Sequence, residues 1–466
     1  LRDLIVDFFL SAAVVSYLGP FTGDYRAEIL AKWTAMASEL EIPCSAKFSL
    51  ADTLSNPVSI RQWQIDGLPT DTVSSDNAVM VTRGQRWPLM IDPEEQAKTW
   101  IKRTFKSTLD VVRITNPNML RSLENCVRIG KPFLIEDIGE FLDPALEPIL
   151  AKAIFEQSGR RLIRIGDSDV DYDDNFKLFL TTKMPNPHYL PEVCIKVTII
   201  NFMITISGLE DQLLGEVVKK ERPEIEVQKN ELVQRVAGGK KTLSELENKI
   251  LKMLSEAEGN ILDNAELVDT LSESKLTSNE VNKDLEEALV TEQEIDKLRA
   301  GYVPVSQRGA LMYFEIANLS TIDPMYQYSL AYYKRLYNIC IDNSEPSEEL
   351  ETRLNSIISY MTLFIFRNIC RGLFARHELL LSLLVCVSIL KRAGKVLLLE
   401  WNLMLRGAGM AINEKTNPLP KIISEAGWNL AHVLEEQVPA FEGLCERISE
   451  HLSAMEEWGS CKNPES

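Results

Sequence analysis

Seven short apolar runs within the first 207 residues, spaced by helix-like segments, constrain this chain more than any other feature. They are AVMVT (78–82), PLMI (88–91), LDVVRI (109–114), PFLIEDI (132–138), LIRI (162–165), KLFLTT (177–182) and KVTIINFMI (196–204). Most are continuous rather than alternating, so both faces of such a strand need cover. EEQAKTWIKRTF, NMLRSLENCVRIG and LEPILAKAIFEQSG lie between them and read as the covering helices, with two more over residues 1–18 and 24–40. The expectation is an α/β domain with a mostly parallel sheet. RRLIRIGDSDVDYDDNFKLFL adds a hairpin on a Gly-Asp turn.

From Leu209 the texture changes. Residues 220–300 are rich in Glu, Lys, Leu and Ser and poor in aromatics. A 4-3 spacing fits Ile225, Lys229, Leu232, Val236, Gly239, Leu243, Leu246, Ile250, Met253 and Ala257, and another runs from Leu267 through Val281 and Ala288 to Ile295. EGNILDN (258–264) separates them, which predicts an antiparallel helical hairpin with arms of roughly 30 residues, about 45 Å. A solvated helical linker stays open as an alternative, because several seam positions are polar. The aromatic stretch PMYQYSLAYYKRLYNI (324–339) sits at helical spacing and reads as core. NSEPSEELETR (343–353) marks a boundary, and residues 354–466 hold further helices with a break at KTNPLP (415–420).

Composition narrows the function classes. A net charge of -18 argues against general binding to nucleic acid or a membrane surface, both of which want basic patches. The eight cysteines have no regular spacing, so reduced core thiols are expected, Cys386 in LLSLLVCVSIL among them. None of the four histidines forms a ligand-like pair, so no metal site is expected. The apolar runs LIVDFFLSAAVVSYL and Leu379 to Leu390 are too short to span a bilayer. The chain starts at Leu1 and ends on CKNPES, and is expected to be a fragment.

One loop decides the chemistry. DPEEQAKT, Asp92 to Thr99, follows an apolar strand and sets Lys98 and Thr99 on the lysine and hydroxyl positions of a phosphate-binding loop. Its two glycine positions hold Asp92 and Ala97. Glycines there let backbone N–H groups turn onto phosphate. Asp92, Glu94 and Glu95 instead bring carboxylates to a helix N-terminus, which they stabilise directly, and Pro93 removes a donor. KPFLIEDIGEFLDP ends an apolar strand in Glu136 and Asp137, where one acid would hold Mg²⁺ and a neighbouring Glu would orient water, although the usual Asp-then-Glu order is reversed. Thr181 and Thr182 end a later strand where a γ-phosphate sensor would stand. Asp167, Asp169, Asp171 and Asp173 have calcium-loop spacing, but Tyr172 and Leu178 replace the required Gly and Glu, so a solvated turn is expected. No catalytic residue, bound cofactor or metal ligand is expected. The remnant positions are Asp92, Ala97, Lys98, Thr99, Glu136, Asp137 and Thr182.

YLGPFTGDYR, RWPLMIDPEEQA, LENCVRIGKPFLIEDIGEFLDPALEPIL, FKLFLTTKMPNPHYLPEV, TIINFMITISGLEDQLLGEVVKKERPE and RGALMYFEIANLSTIDPMYQYSL resemble dynein heavy chain, with NPHYLPE pointing to the axonemal type. The resemblance runs over essentially the whole chain. It implies an AAA+ P-loop-like sheet domain followed by a helical subdomain with a long coiled-coil hairpin, placed in a six-module motor ring just after the microtubule-binding stalk. Residues 1–207 would be the large subdomain of the fifth module, and 208–342 its small subdomain. The buttress would span about 220–300, and 346–466 would open the sixth module. The resemblance further implies an ATP-driven motor of ciliary axonemes, within cytoplasm and cytoskeleton. That parent protein uses ATP and Mg²⁺, walks on microtubules and carries intermediate and light chains. In this family the fifth module is not expected to bind nucleotide. A regulatory nucleotide-binding AAA+ module is the alternative. Gly238 and Gly239 depart from the family's helix formers in the buttress arm.

Overall fold

The computed structural model describes residues 2–40, 42, 45, 48–157, 159–256, 293–406, 417–420 and 422–460, with isolated positions between 275 and 291. They divide into two compact units, Leu1–Asn368 and Ile369–Ser466.

The first unit is built on a five-stranded sheet with order β2-β3-β7-β1-β8, every neighbouring pair parallel. Its strands are β1 Trp87–Ile91, β2 Asp110–Arg113, β3 Phe133–Glu136, β7 Leu178–Thr182 and β8 Val197–Asn201. β1, β3 and β7 are buried at every residue, as continuous apolar runs require. Alternation divides them between two cores. Leu89, Phe133, Ile135, Leu178 and Leu180 face one side, packed on the helix Met119–Ile129. Met90, Leu134 and Phe179 face the other, packed with Ala97, Trp100 and Ile101 of the helix Gln96–Phe105. A three-stranded antiparallel sheet, β4 Ile154–Gln157, β5 Arg160–Ile165 and β6 Ser168–Asp171, is inserted between β3 and β7. The Gly-Asp hairpin turn falls between β5 and β6, with Gly166 at φ +56°.

Two expected elements are different. AVMVT is not a strand but the end of the helix Thr72–Arg83. Its Ala78, Val79, Met80 and Val81 are all buried, so no helical period shows in the sequence. The signal that would have found it is the cap: Asp71 accepts from the Ser74 N–H and hydroxyl. LEPILAKAIFEQSG is not one helix either. A short turn of helix, Glu147–Leu150, gives way to β4, whose Ile154 and Phe155 pair with Ile163 and Leu162. Lys152, at φ +49°, makes the break while its ammonium lies 4.2 Å from the Trp87 ring centroid.

The segment YLGPFTGDYR closes the far edge of the sheet. The Asn201 N–H donates to the Gly19 carbonyl at 2.8 Å, and a Cβ on Gly19 would come within 2.3 Å of the Ile199 carbonyl oxygen. Only glycine permits that approach. Arg26 then donates to the Gly19 carbonyl and to Asn77, and Asn77 donates to the Asn201 carbonyl.

After β8 the chain is helical. Helices Ile206–Glu221, Val303–Asn318 and Leu330–Asn343 form a bundle in which the Tyr333 hydroxyl donates to the Gly309 carbonyl and that of Tyr337 to the Leu213 carbonyl. The aromatic stretch is core, as expected: Tyr326, Tyr333 and Tyr337 are buried. Arg353 forks onto Glu221 at 2.7 and 3.1 Å and onto the Ile341 and Ser344 carbonyls, tying the start of the helix Leu350–Cys370 to this bundle.

Between the first two of these helices runs the helix Pro223–Glu256, continuous through Gly238 and Gly239. Of the seam positions, Ile225, Leu232 and Val236 are buried, as are Ala288 and Ile295 from later in the chain. Lys229 pairs with Asp296 at 3.4 Å and Glu226 with Arg299 at 3.7 Å. The predicted turn at 258–264 lies outside the described residues. Among the described residues no helix is long and apolar enough to cross a membrane.

In the second unit the helix Glu425–Gln437 packs with Leu444–Glu450 around Leu419, Trp428, Ala431, Cys445 and Ile448. Cys386 corrects its expectation: it is exposed, as are Leu379, Leu383 and Leu390 on the same face of the helix Ala375–Arg392.

Candidate functional site

β1 lies between β7 and β8: the chain leaves β1 for β2 at one end of the sheet and reaches β8, on the other side of β1, only after β7. The crevice outside the carboxyl ends of the strands at such a switch point is where open α/β sheets place ligands. The loop Asp92–Glu95 occupies it, followed at once by the helix Gln96–Phe105.

Asp92 is almost fully buried, and its own N–H donates to the Thr182 carbonyl. One carboxylate oxygen accepts from the Gln96 N–H at 2.7 Å and the other from the Lys98 N–H at 2.9 Å. A carboxylate of the chain thus spans the first-turn amides that would face phosphate. Burial pushes its pKa up to about 6, against the pull of the Lys98, Gln96 and Ala97 amides. Glu95 takes the left-handed conformation, φ +59°, a region that favours glycine. Ala97 has no exposed surface and packs in the core under the loop.

Each lysine near the loop has an acid partner. Lys98 lies 3.0 Å from Glu95 and 3.6 Å from Glu136. Lys102 pairs with Glu136 at 2.6 Å, and Lys183 with Glu95 at 2.8 Å and Asp137 at 3.5 Å. Hydrogen bonds from Lys183 and Lys98 hold the Glu95 carboxyl down at about 2. Asp137, at φ +58°, turns off β3 toward Arg113 and Lys183. The Thr99 hydroxyl donates to the Glu95 carbonyl, and Thr182 accepts from the Met184 N–H. Asp92, Ala97, Lys98, Thr99, Glu136, Asp137 and Thr182 therefore lie around one crevice.

Glu94 is the exception among the acids. It turns away from the first-turn amides into the boundary with the helical bundle, near Ile204 and Tyr313, where burial pushes its pKa up to about 7. It lines a cleft of about 1070 Å³ with Gln96, Thr99 and Arg103 on the sheet side and Glu216, Arg299 and Lys334 on the helical side. In the sequence it groups with Asp92 as a helix-terminal acid. Nothing local distinguishes two acids two residues apart.

The acidic hairpin does not gather into a cation site. Asp169 pairs with Arg164, and Asp173 accepts from the Asn175 N–H.

A parallel sheet with a loop-to-helix turn at its switch point and an attached helical bundle is consistent with an AAA+ module. Comparison with known proteins narrows the class. The family model described as the ATP-binding dynein motor region matches residues 61–281. Dynein axonemal heavy chain 6 of Homo sapiens is 50% identical over 453 residues, 97% of this chain and 11% of that protein. Dynein axonemal heavy chain 3 of Mus musculus is 43% identical over 98% of this chain and 11% of its own length. The Chlamydomonas reinhardtii Dynein-1-beta heavy chain, flagellar inner arm I1 complex, is 43% identical over 98% of this chain and 10% of its own. The chain belongs to the axonemal dynein heavy chain family, and it spans about a tenth of the length of the curated relatives it matches.

Proposed function

We propose that this chain is a mechanical segment of an axonemal dynein motor, without a working nucleotide site, that relays ATP-driven changes made elsewhere in the ring. Residues 1–207 act as the large subdomain of the fifth ring module, 208–342 as its small subdomain, and 346–466 as the start of the sixth. Residues of about 220–300 act as a coiled-coil buttress on the stalk. The parent protein takes ATP and Mg²⁺, drives minus-end-directed movement on microtubules in the ciliary axoneme, and carries intermediate and light chains.

The observation that carries the silent-site reading is the Asp92 carboxylate across the Gln96 and Lys98 amides. Phosphate binding needs those N–H groups free, and a second anion beside a buried carboxylate is repelled. The lysine that would reach the phosphates is held by Glu95 and Glu136 instead. The residues present do not fit a nucleotide triphosphate or its Mg²⁺. The buttress reading rests on burial of Ile225, Leu232, Val236, Ala288 and Ile295 and on the Lys229–Asp296 and Glu226–Arg299 pairs.

A regulatory nucleotide-binding module is the second reading, favoured by the Lys98-Thr99 register and by the volume of the cleft beside it. Titration of the chain with Mg-ATP and Mg-ADP separates the two. The silent module shows no saturable binding tighter than about 1 mM, which is about 4 kcal/mol. A micromolar dissociation constant that Lys98→Ala abolishes overturns it. In a full-length motor, Glu136→Gln is expected to leave ATPase activity nearly unchanged, and nucleotide trapping confined to this module would contradict that.

A further inference from the structure

We propose that His432, Glu435 and Cys445 form a site for one divalent metal ion of zinc-like character, independent of the nucleotide-loop remnant and beyond the motor-relay reading. Their ligand atoms all lie within 4.8 Å of one another, and the His432 Nδ1 is 3.8 Å from a Glu435 carboxylate oxygen. Zinc held at about 2.0–2.3 Å by nitrogen, sulfur and oxygen donors needs donor separations of about 3.5 Å, so the three side chains draw together on binding.

The local structure explains why these three meet. His432 and Glu435 stand three residues apart on the helix Glu425–Gln437, hence on one face. The chain then turns through Pro439–Phe441 and Gly443, whose φ of +73° needs glycine, and the helix Leu444–Glu450 brings back Cys445. Trp428 packs edge-on against the imidazole at 4.7 Å and 81°, fixing the ring plane. Leu419, Ala431 and Ile448 pack with Trp428 and Cys445 in one apolar cluster beside these donors.

Two further observations point to a ligand. His432 is only 9% exposed, and its Nε2 is buried with no hydrogen-bond partner, an arrangement that folded proteins rarely leave unresolved. The donor set also balances charge: a thiolate and a carboxylate neutralise a dication, with imidazole neutral. Thiolate and imidazole together select zinc over magnesium or calcium. On binding, the Cys445 S–H bond breaks, the metal–sulfur bond forms and the proton passes to solvent. Glu435, the most exposed of the three, marks the entry side, and three protein ligands leave a fourth position for water. A search for histidine pairs in the sequence does not find this group, because its cysteine lies across a turn.

The test uses the full 466-residue chain, stripped with chelator and titrated with Co²⁺ alone and then with Zn²⁺ alone. One equivalent of Co²⁺ is expected to give thiolate-to-metal charge-transfer absorption with tetrahedral visible bands, and Zn²⁺ is expected to bleach both. Cys445→Ser is expected to remove the charge-transfer band. His432→Gln, which keeps the thiol, is expected to weaken Co²⁺ binding at least tenfold. Circular dichroism of each apo variant shows whether it has folded. Absence of the band in the parent chain at one equivalent, its survival in Cys445→Ser, or unchanged affinity in His432→Gln each overturns the site.

Discussion

The sheet body and the long helix Pro223–Glu256 differ in how burial is distributed. In the body, β1, β3 and β7 are covered on both faces, with Phe133, Leu134, Ile135, Leu178 and Leu180 without exposed surface. Among the described side chains of the helix, Ile225, Leu232 and Val236 are buried along one stripe, and Val227 and Leu251 are exposed. Two-sided burial makes a cooperative unit whose parts cannot move separately. A one-sided stripe makes an element that can shift against its partner at little cost, because few contacts are specific to one register. For a segment proposed to relay force, a rigid body bearing a yielding arm is the useful combination.

The largest expected difference lies in core truncation. Phe133→Ala is expected to destabilise the body by about 3–5 kcal/mol, and Leu232→Ala to cost about 2 kcal/mol or less, since the site can collapse toward solvent. Denaturant unfolding of each variant measures both, and equal losses would erase the distinction between body and arm.

Next comes the boundary between the sheet and the helical bundle. Glu94 has its pKa raised from 4.5 to about 7 by burial, so its charged form is disfavoured in the folded state. Stability linked to this group is fully present below about 4.5 and is lost as pH rises through about 7. Glu94→Gln should therefore stabilise the chain at pH 8 by up to about 3 kcal/mol, with the gain shrinking to nothing near pH 4.5. Melting curves across this range test the sign. A gain that persists at pH 4.5 would show that the charge is not its source.

A smaller effect is expected at Gly238 and Gly239. The helix passes through them unbroken, and a Cβ on Gly238 would meet nothing within 4 Å. Replacing both by alanine should stabilise this turn by about 2 kcal/mol in total. In the unmodified chain, amides of residues 236–242 should exchange faster than those of the flanking turns, and uniform protection would remove the soft point.

Smallest is the rim of the switch-point crevice. Lys183→Ala removes half-exposed contacts to Glu95 and Asp137 and should change stability by less than about 1 kcal/mol. A loss of several kcal/mol would mean that these surface pairs belong to the rigid body.

The parallel sheet is legible in the residues alone, since runs such as WPLMI are apolar without alternation and only two-sided cover satisfies them. The sequence also determined the character of the loop at Asp92, because a carboxylate in a glycine position beside a helix N-terminus bonds to the nearest free amides. Tertiary structure decided the rest. AVMVT is helix although four consecutive residues, Ala78 to Val81, are buried, which erases the period that distinguishes helix from strand. Glu94 and Asp92 went to different environments because the bundle closes over one of them, which nothing in DPEEQ encodes. His432, Glu435 and Cys445 met because a turn folded one helix back on another. Local pattern reaches about one turn of helix or one strand, and proximity beyond that distance belongs to packing.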